Sequence, residues 1–190
     1  MHVLNYGFKL AIVGPQTPAL DDYIPVFHDW IRTGALTDDV MIDVADYAHV
    51  GEGPGVLLVC HEGHYVIDRS RGGVGLAYHR KRGQPAADAA ATAGVALARV
   101  IRAARLLQAH ASLAGRLSFD TGGLEVRVLD RLRAPNDDAG WERVRGPLHD
   151  AIAAAWGEPP VLERAAVDPR ATLTVRARMA ARPLAQLTIA

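Results

Sequence analysis

The chain has one cysteine, Cys60, two lysines, Lys9 and Lys81, and no surplus of either charge, and each scarcity narrows the function. A lone cysteine forms no intrachain disulfide, which fits a reducing cytosol and a cytoplasmic location. Lys plus Arg and Asp plus Glu stand at 21 each, so no overall field gathers nucleic acid or an acidic membrane surface, and neither partner is expected. No apolar run approaches the ~20 residues that span a bilayer, and the first six residues lack the basic region and apolar core of a secretory leader. The basic string His79-Arg80-Lys81-Arg82 has no interleaved aromatics and reads as a solvated strand end.

What is present is enough apolar material, 49% of 190 residues, for one substantial core. Tyr6, Phe8, Leu10 and Ile12 alternate as on a half-buried strand, which Gly14-Pro15 ends. Leu20, Tyr23, Ile24, Phe27, Trp30 and Ile31 recur at helical spacing, with Thr17 or Asp21 as cap, Pro25 in the first turn and Gly34 as the stop. Residues 39–50, 56–68 and 74–80 read as a three-stranded meander joined by the Gly-rich loop 51–55 and the turn 69–73. An Ala-rich run then places Ala93, Leu97, Val100, Ile101, Ala104 and Leu107 on one helical stripe. Thr121-Gly122-Gly123 makes a hairpin between 116–120 and 124–132. Trp141, Val144, Leu148, Ile152 and Ala155 give a last helical stripe, which Gly146-Pro147 is expected to split in two and Gly157 to stop.

These elements predict an α+β protein, a mainly antiparallel sheet with helices packed chiefly on one face. Residues 1–157 form the domain, 158–170 a linker, and 171–190 a C-terminal β-hairpin appendage. Through Leu173, Val175, Leu184, Leu187 and Ile189 that appendage offers a surface for a homo-oligomer.

The chemistry concentrates in the meander. A symmetric closure of the 51–55 loop places Asp46 beside Cys60, and the second turn places Glu62 near His79, with His64 on the same face. Glu62, His64 and His79 then form a ligand set for a divalent metal, Zn or Fe, with Asp46 as catalytic base. Asp43, Tyr47, His49, His61 and Tyr65 fall on the other face, and a one-residue slip exchanges the two sets. His61-Glu62-Gly63-His64 is not a zincin motif, because two residues rather than three separate its histidines. Gly53 and Gly55, with His49 and His61, make a candidate ligand-binding loop, although a phosphate loop would end in Gly-Lys-Ser/Thr before a helix. Taken singly, each histidine near a strand end reads as solvent-facing or hydrogen-bonded. Cys60 lacks a basic activator and reads as a packing residue.

Ile42-Asp43-Val44-Ala45-Asp46-Tyr47-Ala48-His49-Val50, followed by Gly53-Pro54-Gly55-Val56, His61-Glu62 and Asp130-Arg131-Leu132-Arg133-Ala134-Pro135-Asn136, resembles a group of uncharacterised bacterial proteins. The Arg-over-Lys usage and Ala-rich helices also suit a GC-rich bacterial genome. The resemblance implies no activity, cofactor or site residue. The leading expectation is therefore a non-catalytic ligand-binding or accessory protein whose site is the 39–82 meander with its Gly-rich loop. The alternatives are a metal-dependent hydrolase or oxygenase on the same meander and a structural subunit of an oligomer.

Overall fold

The computed structural model describes residues 3, 5–14, 16–51, 53–70, 73–81, 86–166 and 168–189. Nine strands among them form one sheet: β1 (Tyr6–Val13), β2 (Met41–Asp46), β3 (Val56–Cys60), β4 (Gly63–Asp68), β5 (Gly75–Arg80), β6 (Ser118–Phe119), β7 (Gly123–Val128), β8 (Val161–Arg164) and β9 (Leu173–Arg178). The three helices are α1 (Tyr23–Thr33), α2 (Ala89–Ala109) and α3 (Asp138–Trp156). Every strand pairing is antiparallel, in the order β2-β3-β4-β5-β1-β7-β9-β8, with β6 paired to the end of β1. The predicted α+β class is borne out.

Alternation divides the sheet into two faces. Tyr6, Phe8 and Leu10 of β1, Leu76 and Tyr78 of β5, Val126 and Val128 of β7 and Leu173 and Val175 of β9 are buried in one core with the helices. Helix α2 lies on β1 and β5, α3 runs along α2, and α1 covers β2 and β3. The opposite face of β1 carries Gly7, Lys9 and Ala11, mostly small side chains around one cation.

The helix ends follow their local chemistry. Gly34 and Gly157 take the left-handed conformation at the ends of α1 and α3, with φ of 66° and 73°. Asp88 and Asp137 cap α2 and α3 by accepting from Ala91 N and Gly140 N. The split expected at Gly146-Pro147 does not occur, and α3 is continuous with Pro147 inside it. Its buried stripe of Val144, Leu148, Ile152 and Ala155 outweighs the ~3 kcal/mol that an internal proline costs.

Two larger expectations are corrected. Residues 56–68 are not one strand: they turn back at His61-Glu62, so the meander has four strands. The turn is permitted at Gly63, where a Cβ would fall 2.5 Å from the Tyr78 ring. The last thirty or so residues are neither linker nor appendage. β8 lies inside the expected linker, β9 joins β7 through six register pairs, and Leu173, Val175, Leu184 and Leu187 are buried in the chain's own core. Arg105 of α2 holds the tail by donating to the carbonyls of Leu184 and Leu187. The apolar side chains expected to face another subunit are thus committed within the chain. Among the described residues, no helix is long and apolar enough to cross a membrane.

Candidate functional site

The expected metal set does not assemble. His64 and His79 are direct cross-strand partners on the helix-free face. Glu62, in the β3–β4 turn, reaches the other side, where its Oε2 lies 2.7 Å from the Arg99 guanidinium. Arg99 is buried on α2 and also donates to Asp39 Oδ2 at 3.1 Å, the Asp38 carbonyl at 2.8 Å and the Tyr78 hydroxyl at 2.6 Å. Glu62 therefore ties a turn to a helix. Among the described residues, no three His, Cys, Asp or Glu side chains gather closely enough to hold a metal ion.

Asp46 is not beside Cys60. It pairs with Val56, while Cys60 pairs with Met41 at the far end of β3. Residues 47–55 form a wider loop than the five-residue closure predicts, with internal turns from Val50 N to the Tyr47 carbonyl and from Gly53 N to the Val50 carbonyl. The Asp46 carboxylate accepts from Ala48 N at 2.7 Å, a local turn bond. Cys60 is fully buried, and burial first, with Asp39 nearby, pushes its thiol up to about 12, which leaves it inert.

The loop residues are also separated. Gly53 and Gly55 lie before β3 and His61 after it, about 20 Å beyond Gly55 along the strand, and His49 and His61 are both exposed. Gly55 has a positive φ of 86°, and a Cβ there would run into the Ile67 carbonyl. The loop's own carbonyls at Ala48 and Val50 accept from Arg69 at 2.9 and 2.7 Å. Its glycines serve backbone packing.

The helix-free face holds a different constellation. Register carries one row from His64 through His79, Gly7 and Arg127 to Thr174, and the next from Ala77 through Lys9 and Glu125 to Arg176 and Glu163. Over the β7–β9 part of these rows lies a cavity of about 500 Å³. Glu125, Arg127, Thr174 and Arg176 make its floor. Ser70, Asn136 and the β8–β9 connection, including Arg170 and Thr172, make its walls.

Each wall is held by buried polar groups. Lys9 Nζ donates to the carbonyls of Ser70 and Gly73 at 2.8 and 2.9 Å, tying both residues to β1. The same ammonium lies 3.3 Å from Asp68 Oδ2, and Asp68 Oδ1 accepts from Ser70 N at 2.7 Å. Burial works against an ionised Asp68, but the Ser70 bonds, Lys9 and Arg127 outweigh it and hold its carboxyl below the usual range. Asn136, 2% exposed, donates to the carbonyls of Ala166 and Asp168 at 2.8 and 3.0 Å and anchors the β8–β9 connection. Its Oδ1 is buried without a hydrogen-bond partner among the described residues.

The charges are unequal. Arg127 is fixed by Glu125 at 2.8 Å, by Asp68 at 3.5 Å and by donation to Ser70 Oγ at 3.3 Å. Arg170 and Arg176 form no side-chain ion pair among the described residues. Three guanidiniums thus line the cavity with one glutamate, while Asp68 lies beside Arg127 outside the lining; both carboxylates are engaged by Arg127, and Arg170 and Arg176 are left unmatched among the described residues. Beyond Gly7, His79 is pushed down to about 4, by burial first and then by Arg127, and stays neutral near pH 7. This arrangement offers forked donors to a carboxylate, phosphate or sulfate.

The residues that build this cavity, Lys9, Asp68, Arg127, Arg170 and Arg176, are absent from the sequence-derived set. Two signals were available. Lys9 interrupts an otherwise apolar or small β1, and polar residues alternate through Glu125-Val126-Arg127 and Thr174-Val175-Arg176. No family model matches the chain, and neither a curated protein nor a solved structure matches it.

Proposed function

We propose that this chain is a non-catalytic ligand-binding protein that takes a small anion, bearing carboxylate or phosphate, in the helix-free-face cavity. The observation that carries the reading is the meeting of Arg127, Arg170 and Arg176 around one space whose only lining carboxylate, Glu125, is paired with Arg127, as is Asp68 outside the lining, which leaves Arg170 and Arg176 without an anion among the described residues. Like charges held together in this way repel one another, and an anion between them relieves that cost. Hydrogen bonds to ionised partners are worth about 1.5–3 kcal/mol each, so two forked contacts suffice for a specific small ligand.

The reading moves the site from the Gly-rich end of the meander to its junction with β7 and β9. Thermal unfolding at fixed ionic strength tests it. Phosphate or citrate should raise the Tm saturably above a chloride control, and Arg176→Ala should abolish the rise. A rise no larger than that in chloride overturns the proposal.

A further inference from the structure

We infer that the ligand is a linear dianion, with a charged group at each end of a short chain. The inference rests on the anion-binding reading and deepens it. A second cavity of about 250 Å³ adjoins the first along β7 and β9, and the two share Glu125 and Arg176. The space is therefore one trough with Arg176 at its middle.

Beyond Arg176 the trough reaches Arg178, two residues further along β9 and on the same face, about 7 Å away along the strand. Arg178 has a weak tie: its contact with Glu163 is 3.4 Å long, and both side chains are mostly exposed, at 73% and 59%. Such a pair contributes little and yields readily to a better-placed anion. Gly123, the cross-strand partner of Arg178, and Ala11 leave the floor low beside Arg178. Glu125, the carboxylate at the junction, is held toward Arg127. Asp120 lies at the far end, where its Oδ1 accepts from Gly122 N at 2.9 Å, and it limits how far an anion extends.

One anionic group therefore sits among Arg127, Arg170 and Arg176, and the second is received by Arg178 with help from Arg176. Joining two such groups makes the second contact intramolecular, so a linker of matching length gains affinity that neither a shorter nor a longer one has. A diacid and a diphosphate share this chemistry.

Calorimetric titration at fixed ionic strength separates the cases, with α,ω-dicarboxylates from malonate to suberate, α,ω-bisphosphonates of the same lengths, and matching monoanions. The expected result is a gain of about tenfold or more for one chain length over its monoanion. Arg178→Gln, an exposed substitution, should erase that gain while leaving monoanion affinity within about twofold. The series that shows the optimum identifies the charged group. Equal binding of mono- and dianions at every length overturns the dianion inference and leaves the anion site standing. Absence of binding by any anion overturns both.

Discussion

Asp68 and Arg127 approach to 3.5 Å although two strands, β5 and β1, lie between their own. Three inter-strand steps amount to about 14 Å on a flat sheet, so the contact needs both a long side chain and a clear path. The path exists because Gly7, Ala11, Gly75 and Ala77 occupy the intervening face, and Lys9 fills it from the middle. The cavity is thus a product of small residues as much as of charged ones.

Removing the charge at the centre of this contact should be costly. Asp68→Asn leaves Lys9 and Arg127 without their shared buried anion, and breaking such a pair costs roughly 3–5 kcal/mol, readable as a lower urea midpoint. The pH dependence follows from the direction of the Asp68 shift. Its folded carboxyl titrates below the ordinary value of 3.8, so its stabilisation is fully present above that pH and is lost as pH falls through the folded pKa. The gap between wild type and Asp68→Asn should narrow on acidification below about pH 4. A constant gap from pH 7 to pH 2 contradicts the assignment.

The histidine pair sets a second, higher window. His79 is lowered from 6.5 to about 4 and His64 is lowered too, by burial first and then by Lys81, whose Nζ lies 3.2 Å from His64 Nε2. The unfolded chain therefore binds protons that the folded chain refuses, and stability falls as pH drops from 6.5 towards 4. In His79→Gln the slope of stability against pH over this window should flatten, as equilibrium denaturation at several pH values will record. An unchanged slope would mean that His79 takes up its proton over the same pH range in the folded and the unfolded chain, contradicting its buried, neutral state.

Arg99 anchors the opposite face. Arg99→Met leaves Asp39 and Glu62 without their cation and the Tyr78 hydroxyl without its donor, and should destabilise by about 3–5 kcal/mol. Glu62→Gln, at a side chain 35% exposed, should cost only about 1 kcal/mol. The unequal losses distinguish a structural tether from a site built around Glu62, and equal losses in thermal melts contradict the tether.

Gly55→Ala provides a test of the Gly-rich loop. The positive φ and the Ile67 carbonyl both exclude a Cβ, so the substitution should cost roughly 2–4 kcal/mol. Anion affinity in the surviving folded fraction should stay unchanged. A stable variant that loses the ligand would return the site to the loop.

Local signals made much of the fold legible. The alternation of Tyr6, Phe8, Leu10 and Ile12 and the stops at Gly34 and Gly157 rest on interactions within a few residues, whereas the hairpin expected at Thr121-Gly122-Gly123 does not form: β6 and β7 both pair with β1 and follow one another in the same direction along it. The hairpin at His61-Glu62 carries no local signal because neither turn residue is a glycine; the permissive one, Gly63, follows the turn and is required by the distant Tyr78 ring. The meander register differs from the symmetric closure because Asp46 pairs with Val56, so the β2–β3 connection runs from 47 to 55 rather than from Gly51 to Gly55. The cavity was hidden for a further reason. β1 inserts between β5 and β7, and β9 pairs with β7, so Lys9, Arg127 and Arg176 become neighbours only through long-range pairing that no local spacing encodes.

The most direct measurement is calorimetric titration of citrate and phosphate into wild type and into the Arg170→Ala/Arg176→Ala double variant at constant ionic strength. Both substituted side chains are exposed or unpaired among the described residues, so the variant should fold, and circular dichroism checks that it does. Saturable one-to-one binding to wild type, weakened at least about 100-fold in the double variant, is the predicted result. Equal affinity for the two proteins, or no heat from either, contradicts an anion site at Arg127, Arg170 and Arg176.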